Sequence, residues 1–393
     1  MKMKGKNFSI ALSQLKYEKV RFLVALSGII FAVIMMFMQM GFSDALFDSS
    51  VLLHKSMKAD IFLLHSKSSA LVALKSFSKY YLYQLLEFPE VKSVSPIHLG
   101  YANWKNPWNN DNRAIFIIGI DPSNNVLDLP GIQENLTTIT YPDGVLFDTS
   151  SRPEFGPVVT SFNAGEKIIS ELQGALLKVE KVVKVVGLFR LGASFAANGH
   201  LLTSNSNFVN ILTNKGSKSI EIGTIQLNLN ANLKQSISNI RARLPRDVLA
   251  LTKDEFINFE KNYWKRNTAV GFIFSLSTMM AFIVGAVIVY QVLYTDVSEH
   301  LPGYAILKAM GYTDISLLWI IIQESLILSI LGYIPGFLIA MISYQQTQSA
   351  TLLPIGMTVD RGLTLLMVTI LMCLISGLIA VRKLRDADPA DIF

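Results

Sequence analysis

Cysteine is almost missing: Cys373 is the only one in 393 residues. An internal disulfide is therefore excluded, and an exported domain of this chain must be stable through its own core. The chain carries no Gly-x-x-x-x-Gly-Lys-Ser/Thr, so it has no P-loop to cradle ATP phosphates. It also lacks His-Glu-x-x-His and Cys-x-x-Cys, and its histidines (54, 65, 98, 200 and 300) have no metal-ligand spacing. Gly192-Ala-Ser194-Phe-Ala196 lacks the second glycine of a nucleophile elbow. Catalysis by this chain is not expected, and neither a bound metal nor a bound cofactor is implied. Internal repeats and low-complexity tracts are absent too.

Charge is scarce, at 16% of residues, while 51% are hydrophobic and the mean hydropathy is +0.40. That balance is too apolar for an ordinary soluble domain. Four runs are long enough to span a bilayer, at about 22–42, 266–294, 314–344 and 362–381. The third is long enough to tilt or kink, and Pro335 invites a kink. The net charge of +6 has no basic stripe interleaved with aromatics, so nucleic acid is not an expected partner. Its clearest concentration is the N-terminal segment 1–21, with Lys2, Lys4, Lys6, Lys16, Lys19 and Arg21.

The positive-inside rule places that segment in the cytoplasm. The first span then exits, the large loop 43–265 lies outside, and the second span returns the chain to a cytoplasmic loop at 295–313. A short outer loop at 345–361 separates the last two spans, and the tail 382–393, with Arg382 and Arg385, is cytoplasmic. Both termini are thus expected inside. The first run is longer than a signal-peptide core and no small-x-small cleavage site follows, so an uncleaved anchor is expected. Met35, Met36, Met38 and Met40 read as adaptable packing rather than a copper site. Asp386, Asp388 and Asp391 read as a solvated tail rather than a metal site.

The large loop alternates strand and helix patterns as an α+β domain would. Helices are expected at 75–87 and 233–244, with strands at 59–65, 114–120, 176–186 and 220–229. Helical spacing of Phe42, Leu46, Leu53 and Met57 carries the first span beyond the membrane as a stalk. On the return side, Thr252-x-x-Glu255 is a capping box, followed by Phe256, Phe259 and Tyr263 on one face. If that helix runs unbroken into the second span, a push at 296–311 reaches the outer domain.

The stretch Thr295-Asp-Val-Ser-Glu-His-Leu-Pro-Gly-Tyr-Ala-Ile-Leu-Lys-Ala-Met-Gly-Tyr-Thr-Asp314 lies between two of the longest apolar runs. Residues 304–310 read as about two helical turns, with Pro302 near the start, Ile306 and Met310 at i, i+4, and Gly311 suited to the left-handed C-cap. Thr313 or Asp314 can cap the next helix. The pattern alone leaves two readings, an ordinary interfacial turn or a short helix that docks a partner.

With Glu324, Gly332 and Gly336 in the helix that follows, this stretch resembles the permeases of the MacB/FtsX-like family. The wording His300-Leu-Pro-Gly-Tyr-Ala-Ile-Leu-Lys-Ala-Met-Gly-Tyr312 is most similar to the DevC branch, the permeases of DevBCA-type exporters in cyanobacteria. Leu301-Pro-Gly-Tyr304 stands where the family often reads Arg-Glu-Ile-Gly, which favours that branch over macrolide exporters.

The resemblance implies a type VII ABC transporter fold, with four transmembrane helices and a large α+β periplasmic domain between the first two. It implies a homodimer in the inner membrane, served by a separate DevA-like ABC ATPase that binds ATP and Mg. A DevB-like periplasmic membrane-fusion adaptor and a TolC-like outer-membrane channel would complete the path, with lipid or glycolipid cargo. Glu299, Tyr304, Ile306, Leu307, Lys308, Met310 and Gly311 become the ATPase-coupling residues. A Lol-type lipoprotein-extracting permease and an FtsX-like regulator of a cell-wall hydrolase share the same core and stand as alternatives.

Glu324 falls within the third apolar run, where a carboxylate is expensive and by default suggests function. With no basic partner and no second acid in the nearby runs, a hydrogen-bonded packing role is favoured over a proton relay. Gly332-x-x-x-Gly336, Ala281-x-x-x-Gly285 and Gly28-x-x-x-Ala32 permit close helix approach.

Overall fold

The computed structural model describes residues 19–386 apart from 125, 175–179, 213–217, 300, 301, 304, 305, 307–309, 311 and 312. The chain divides into two units. Leu46–Gly271, joined by Leu352–Pro354, forms an α+β unit, and the remainder forms a helical one.

The helical unit is built from long apolar helices. Helix α1 is Lys19–Ser49, which passes into the α+β unit at its end. The α+β unit then opens with the short helix α2, Leu52–Ser56, and strand β1, Ile61–His65. β2 (Phe77–Ser78) and helix α3 (Lys79–Tyr83) follow, then the long strand β3 (Val91–Lys105) and β4 (Asn112–Ile120). Next come β5 (Gly144–Asp148), α4 (Val158–Asn163), β6 (Ile169–Gly174) and β7 (Glu180–Phe189). β8 (His200–Ser204), α5 (Asn205–Ile211), β9 (Ser219–Ile220) and β10 (Ile222–Leu227) continue the unit. It closes with α6 (Leu233–Arg243), β11 (Val248–Thr252) and α7 (Lys253–Arg266).

Six strands close on themselves. The order β3-β4-β8-β5-β7-β6 returns to β3 through Ala102↔Gly174, Asn103↔Gln173 and Trp104↔Leu172. Alternation explains the interior: Trp104, Ile115, Ile117, Phe147, Val183 and Leu201 share one buried cluster. Their neighbours Phe116, Ile118, Leu146 and Leu202 face a second core outside the ring. β4 is therefore covered on both sides, which is why it reads as the unbroken run Ile115-Phe-Ile-Ile-Gly-Ile120. The first half of β3 leaves the ring and pairs with β10, so the open sheet β3-β10-β1-β11 grows from the same strand. Its other face packs on α6 and the turn after α3.

The capping box at Thr252 is present, with Glu255 Oε2 accepting from Thr252 N at 2.8 Å. Helix α6 starts where Asn232 accepts from the amides of Lys234 and Gln235.

The unbroken return helix is corrected. α7 ends at Arg266, Asn267 and Thr268 intervene, and the next helix α8 is Ala269–Glu299. Thr268 Oγ1 turns back to the Trp264 carbonyl at 2.7 Å and accepts from Gly271 N at 3.2 Å. A side chain on Gly271 would run into the Lys265 carbonyl oxygen, so this close turn requires glycine.

The helical unit is completed by α9, Asp314–Thr351, continuous through Pro335, and α10, Val359–Asp386. Among the described residues, four segments are long and apolar enough to cross a membrane: Phe22–Ser49, Ala269–Thr295, Leu318–Thr351 and Val359–Ile379. The fold is thus four apolar helices, with a large α+β domain inserted between the first and second.

Candidate functional site

The residues between α8 and α9 are seen in part. Glu299 ends α8, and its side chain is outside the described region. Tyr304, Leu307, Lys308 and Gly311 also lie outside the described residues. Ile306 and Met310 are described. The Met310 amide donates to the Ile306 carbonyl at 2.9 Å, the i, i+4 bond of a helical turn. Both side chains project outward, Ile306 at 50% exposed and Met310 at 71%. An apolar pair left half or more exposed on one helical turn is a surface that suits a partner's groove. Thr313 caps α9, its Oγ1 accepting from Ser316 N at 3.4 Å.

Inside the helical unit, the predicted small residues sit at close approaches. A Cβ on Gly332 would lie 2.5 Å from Ile29 Cγ2, and one on Gly336 would lie 2.8 Å from Val33 Cγ1. The α9 glycine ridge thus receives the side chains of α1, the arrangement that small-x-x-x-small spacing permits. On the first and second helices, a Cβ on Gly28 would meet Val292 Cγ2 at 3.0 Å. Glu324 is buried on α9, beside the buried Ser325.

Sequence reasoning missed a charged cluster in this unit. Arg361, 7% exposed, donates to Asp44 Oδ2 at 2.9 Å and to the Gly356 carbonyl at 2.7 Å. Its guanidinium lies over the Tyr344 ring at 5.6 Å, and the Tyr344 hydroxyl donates to the Phe37 carbonyl. One arginine therefore ties α1 to the start of α10, with a tyrosine of α9 between them. The signal was a lone arginine at the edge of an apolar run. Its partner, 317 positions away, had none.

Three buried histidine–carboxylate pairs occupy the α+β unit, and none was legible beforehand. His98 Nδ1 lies 3.1 Å from Glu221 Oε2, its ring stacked on Phe208. His200 Nδ1 lies 3.0 Å from Asp148 Oδ2. His54 Nε2 lies 3.7 Å from Glu260 Oε2, with its ring 4.2 Å from that of Phe256. Glu260 accepts from the Leu71 amide and the Trp264 indole, both at 2.8 Å. Burial pushes the Glu260 carboxyl up to about 7 and the His54 imidazole down to about 3, because neither charged form is solvated there. Burial also raises the Tyr101 phenol to about 12. No group of three or more metal-ligating side chains occurs among the described residues.

Residues 274–389, which include the segment between α8 and α9, match the family described as FtsX-like permease C-terminal. The chain is 26% identical over 242 residues to an uncharacterized ABC transporter permease protein of Mycobacterium tuberculosis. That stretch is 58% of this chain but 26% of the relative, so the chain matches about a quarter of the relative's length. Among solved structures, the periplasmic region of MacB from Actinobacillus actinomycetemcomitans is similar at 12% identity and a TM-score of 0.36. The similarity covers 53% of this chain and 94% of that one. The extracellular domain of the transporter YknZ from Gram-positive bacteria gives 14% identity and a TM-score of 0.33, over 49% of this chain and 99% of that one.

Proposed function

We propose that this chain is the permease subunit of an ABC exporter whose ATP hydrolysis is carried out by a separate ATPase. The observation that carries the reading is the outward-facing Ile306–Met310 turn, which lies inside the residues matching the FtsX-like permease family. Four helices able to cross a membrane and the lack of a P-loop in the sequence support it. Glu299, Tyr304, Leu307, Lys308 and Gly311 belong to the same docking segment in this reading. The permease works as an inner-membrane homodimer with both termini in the cytoplasm. ATPase closure displaces the docking segment, and α8 carries the displacement to the α+β domain. Asn267 and Thr268 interrupt the helix on this path. Lipid or glycolipid cargo then leaves through a periplasmic adaptor and a TolC-like channel.

Cross-linked affinity purification from native membranes, with partners identified by mass spectrometry, tests this. Recovery of an ATPase with an adaptor and an outer-membrane channel is the expected result. A cell-wall hydrolase in place of the adaptor moves the reading to an FtsX-like regulator, and a soluble lipoprotein carrier moves it to Lol-type extraction. Absence of any ATPase overturns it.

A further inference from the structure

An open cleft of about 480 Å³ cuts into the α+β unit where α2, β3 and β10 meet the start of α7. That volume lies within the ~300–1,000 Å³ of small-molecule sites. Its ionisable lining is Lys55, Lys58, Lys92 and Lys253 against Asp60 and Asp128. Much of the floor is committed to the protein itself. The amides of Lys58 and Asp60 donate to the carbonyls of Val126 and Ile225, at 2.8 and 3.0 Å. Gln226 Nε2 donates to the Lys58 carbonyl at 2.6 Å, and Asp60 Oδ2 accepts from Leu227 N at 2.8 Å.

The lysines are committed unequally. Lys58 Nζ lies 2.8 Å from Asp128 Oδ1, which cancels one charge. Lys253 Nζ donates to the carbonyls of Lys55 at 3.0 Å and Met57 at 2.8 Å. Those acceptors are neutral, so Lys253 keeps its charge and a third N–H. Lys55 Nζ is 3.5 Å from Asp48 Oδ1, an oxygen that Lys261 holds at 2.6 Å. Lys92 is exposed, and its side chain has no partner among the described residues. Four ammonium groups against two carboxylates leave an excess of two positive charges, which matches a dianion. The described lining has no aromatic ring for a nucleobase and no arginine fork for a lone carboxylate. Separate lysines, each a mobile point charge, suit an anion that accepts from several directions. The volume exceeds what a bare phosphate fills, so the phosphate comes attached to a polar body.

We propose that this cleft binds the phosphate monoester of a hydrated, sugar-like head, with Lys55, Lys92 and the third N–H of Lys253 donating to its oxygens. A soluble sugar phosphate and a lipid head share that chemistry. The site stands apart from the export reading, since its occupancy is read without transport.

The test is protection from brief acetylation, read by mass spectrometry on the full chain in phosphatidylcholine nanodiscs. It is run at ~0.15 M salt, where distant surface charges are screened. Glucose 6-phosphate should slow the labelling of Lys55 and Lys92 about five-fold, while the exposed Lys184 labels at its usual rate. Glucose and gluconate, neutral and singly charged, should protect neither. Protection by phosphatidic acid in the nanodisc, in place of glucose 6-phosphate, also supports the site and assigns the monoester to a lipid. K92A should weaken the protection of Lys55 about five-fold. D128N alters a side chain already 73% exposed and frees Lys58, so binding should tighten about five-fold. Misfolding cannot mimic that gain. No protection from either source, equal protection by gluconate, or unchanged affinity in both variants overturns the proposal.

Discussion

His54 and Glu260 face each other in a buried site that solvates neither as an ion. Their side chains lie 3.7 Å apart with no solvent exposure, and burial favours the uncharged form of each. Below about pH 7 the folded pair is a protonated Glu260 and a neutral His54. Between 4.5 and 6.5, their ordinary values, the unfolded chain holds an ionised glutamate and a protonated histidine. That is also one proton, so this window brings no pH dependence from the pair.

Outside the window the two states differ. As pH falls from 4.5 to about 3, the unfolded chain takes up a second proton that the folded pair does not, and stability declines by about 2 kcal/mol. As pH rises from 6.5 to about 7, the unfolded chain has lost its proton while folded Glu260 keeps one, and stability declines again, by under ~1 kcal/mol. E260Q keeps a neutral side chain in place. It should abolish the alkaline limb and give stability that climbs steadily from pH 3 to 6.5 as unfolded His54 deprotonates. Thermal unfolding across pH checks this, and an alkaline limb retained in E260Q refutes the assignment.

Charge placed on the exposed turn separates docking from folding. I306E and M310E alter side chains that are already solvent-facing, so each should change stability by less than ~0.5 kcal/mol. Co-purification of the ATPase should fall at least ten-fold, on the order of 1.4 kcal/mol, while membrane insertion stays intact. Normal ATPase recovery with either variant removes the docking assignment.

At Gly332 and Gly336 the helices leave no room. G332V and G336V force side chains into Ile29 and Val33 and should destabilise by about 1–3 kcal/mol each. Val at the neighbouring exposed position Leu331 serves as the control. A thermal midpoint in detergent that drops for the glycine variants alone is the expected outcome.

Arg361 and Asp44 should not be equivalent. R361A removes the bonds to Asp44 and the Gly356 carbonyl together with the stacking on Tyr344, a loss of roughly 2–3 kcal/mol by comparison with lost charge-assisted hydrogen bonds. Asp44 is 44% exposed, so D44N should cost only about 1 kcal/mol. Equal losses, measured by thermal unfolding, would show that the ion pair rather than the arginine's wider set of bonds holds this end together.

Much of the helical architecture could be read in advance, because apolar length and cap chemistry are local signals. The capping box at Thr252 and the start of α6 near residue 233 follow from a few adjacent residues. The short barrel strands gave less. Gly144–Asp148 and His200–Ser204 are buried on both faces, so they lack the alternation that marks a half-buried strand. The expected helix at 75–87 contracted to Lys79–Tyr83 and the 3-10 turn Gln84–Glu87, since Phe77–Ser78 pairs with Ser219–Ile220. The strand expected at 220–229 is Ile222–Leu227. Pairs such as His200–Asp148 and Arg361–Asp44 depend on where distant segments meet, which no local pattern encodes.

The position of β1 sets a timetable for synthesis. Its two neighbours are β10 and β11, through Ile61↔Ile225 and Ile61↔Thr252. The strand made first therefore waits for the last two, and at ~5–20 residues per second that wait is on the order of ten seconds or more. During that interval Ile61-Phe-Leu-Leu offers two bare edges on an apolar ribbon, an invitation to wrong partners. A nascent chain stopped before residue 248 leaves one edge open permanently, and one stopped before 222 leaves both. Whatever receives this domain as it leaves the ribosome must shelter that strand until the end of the domain arrives.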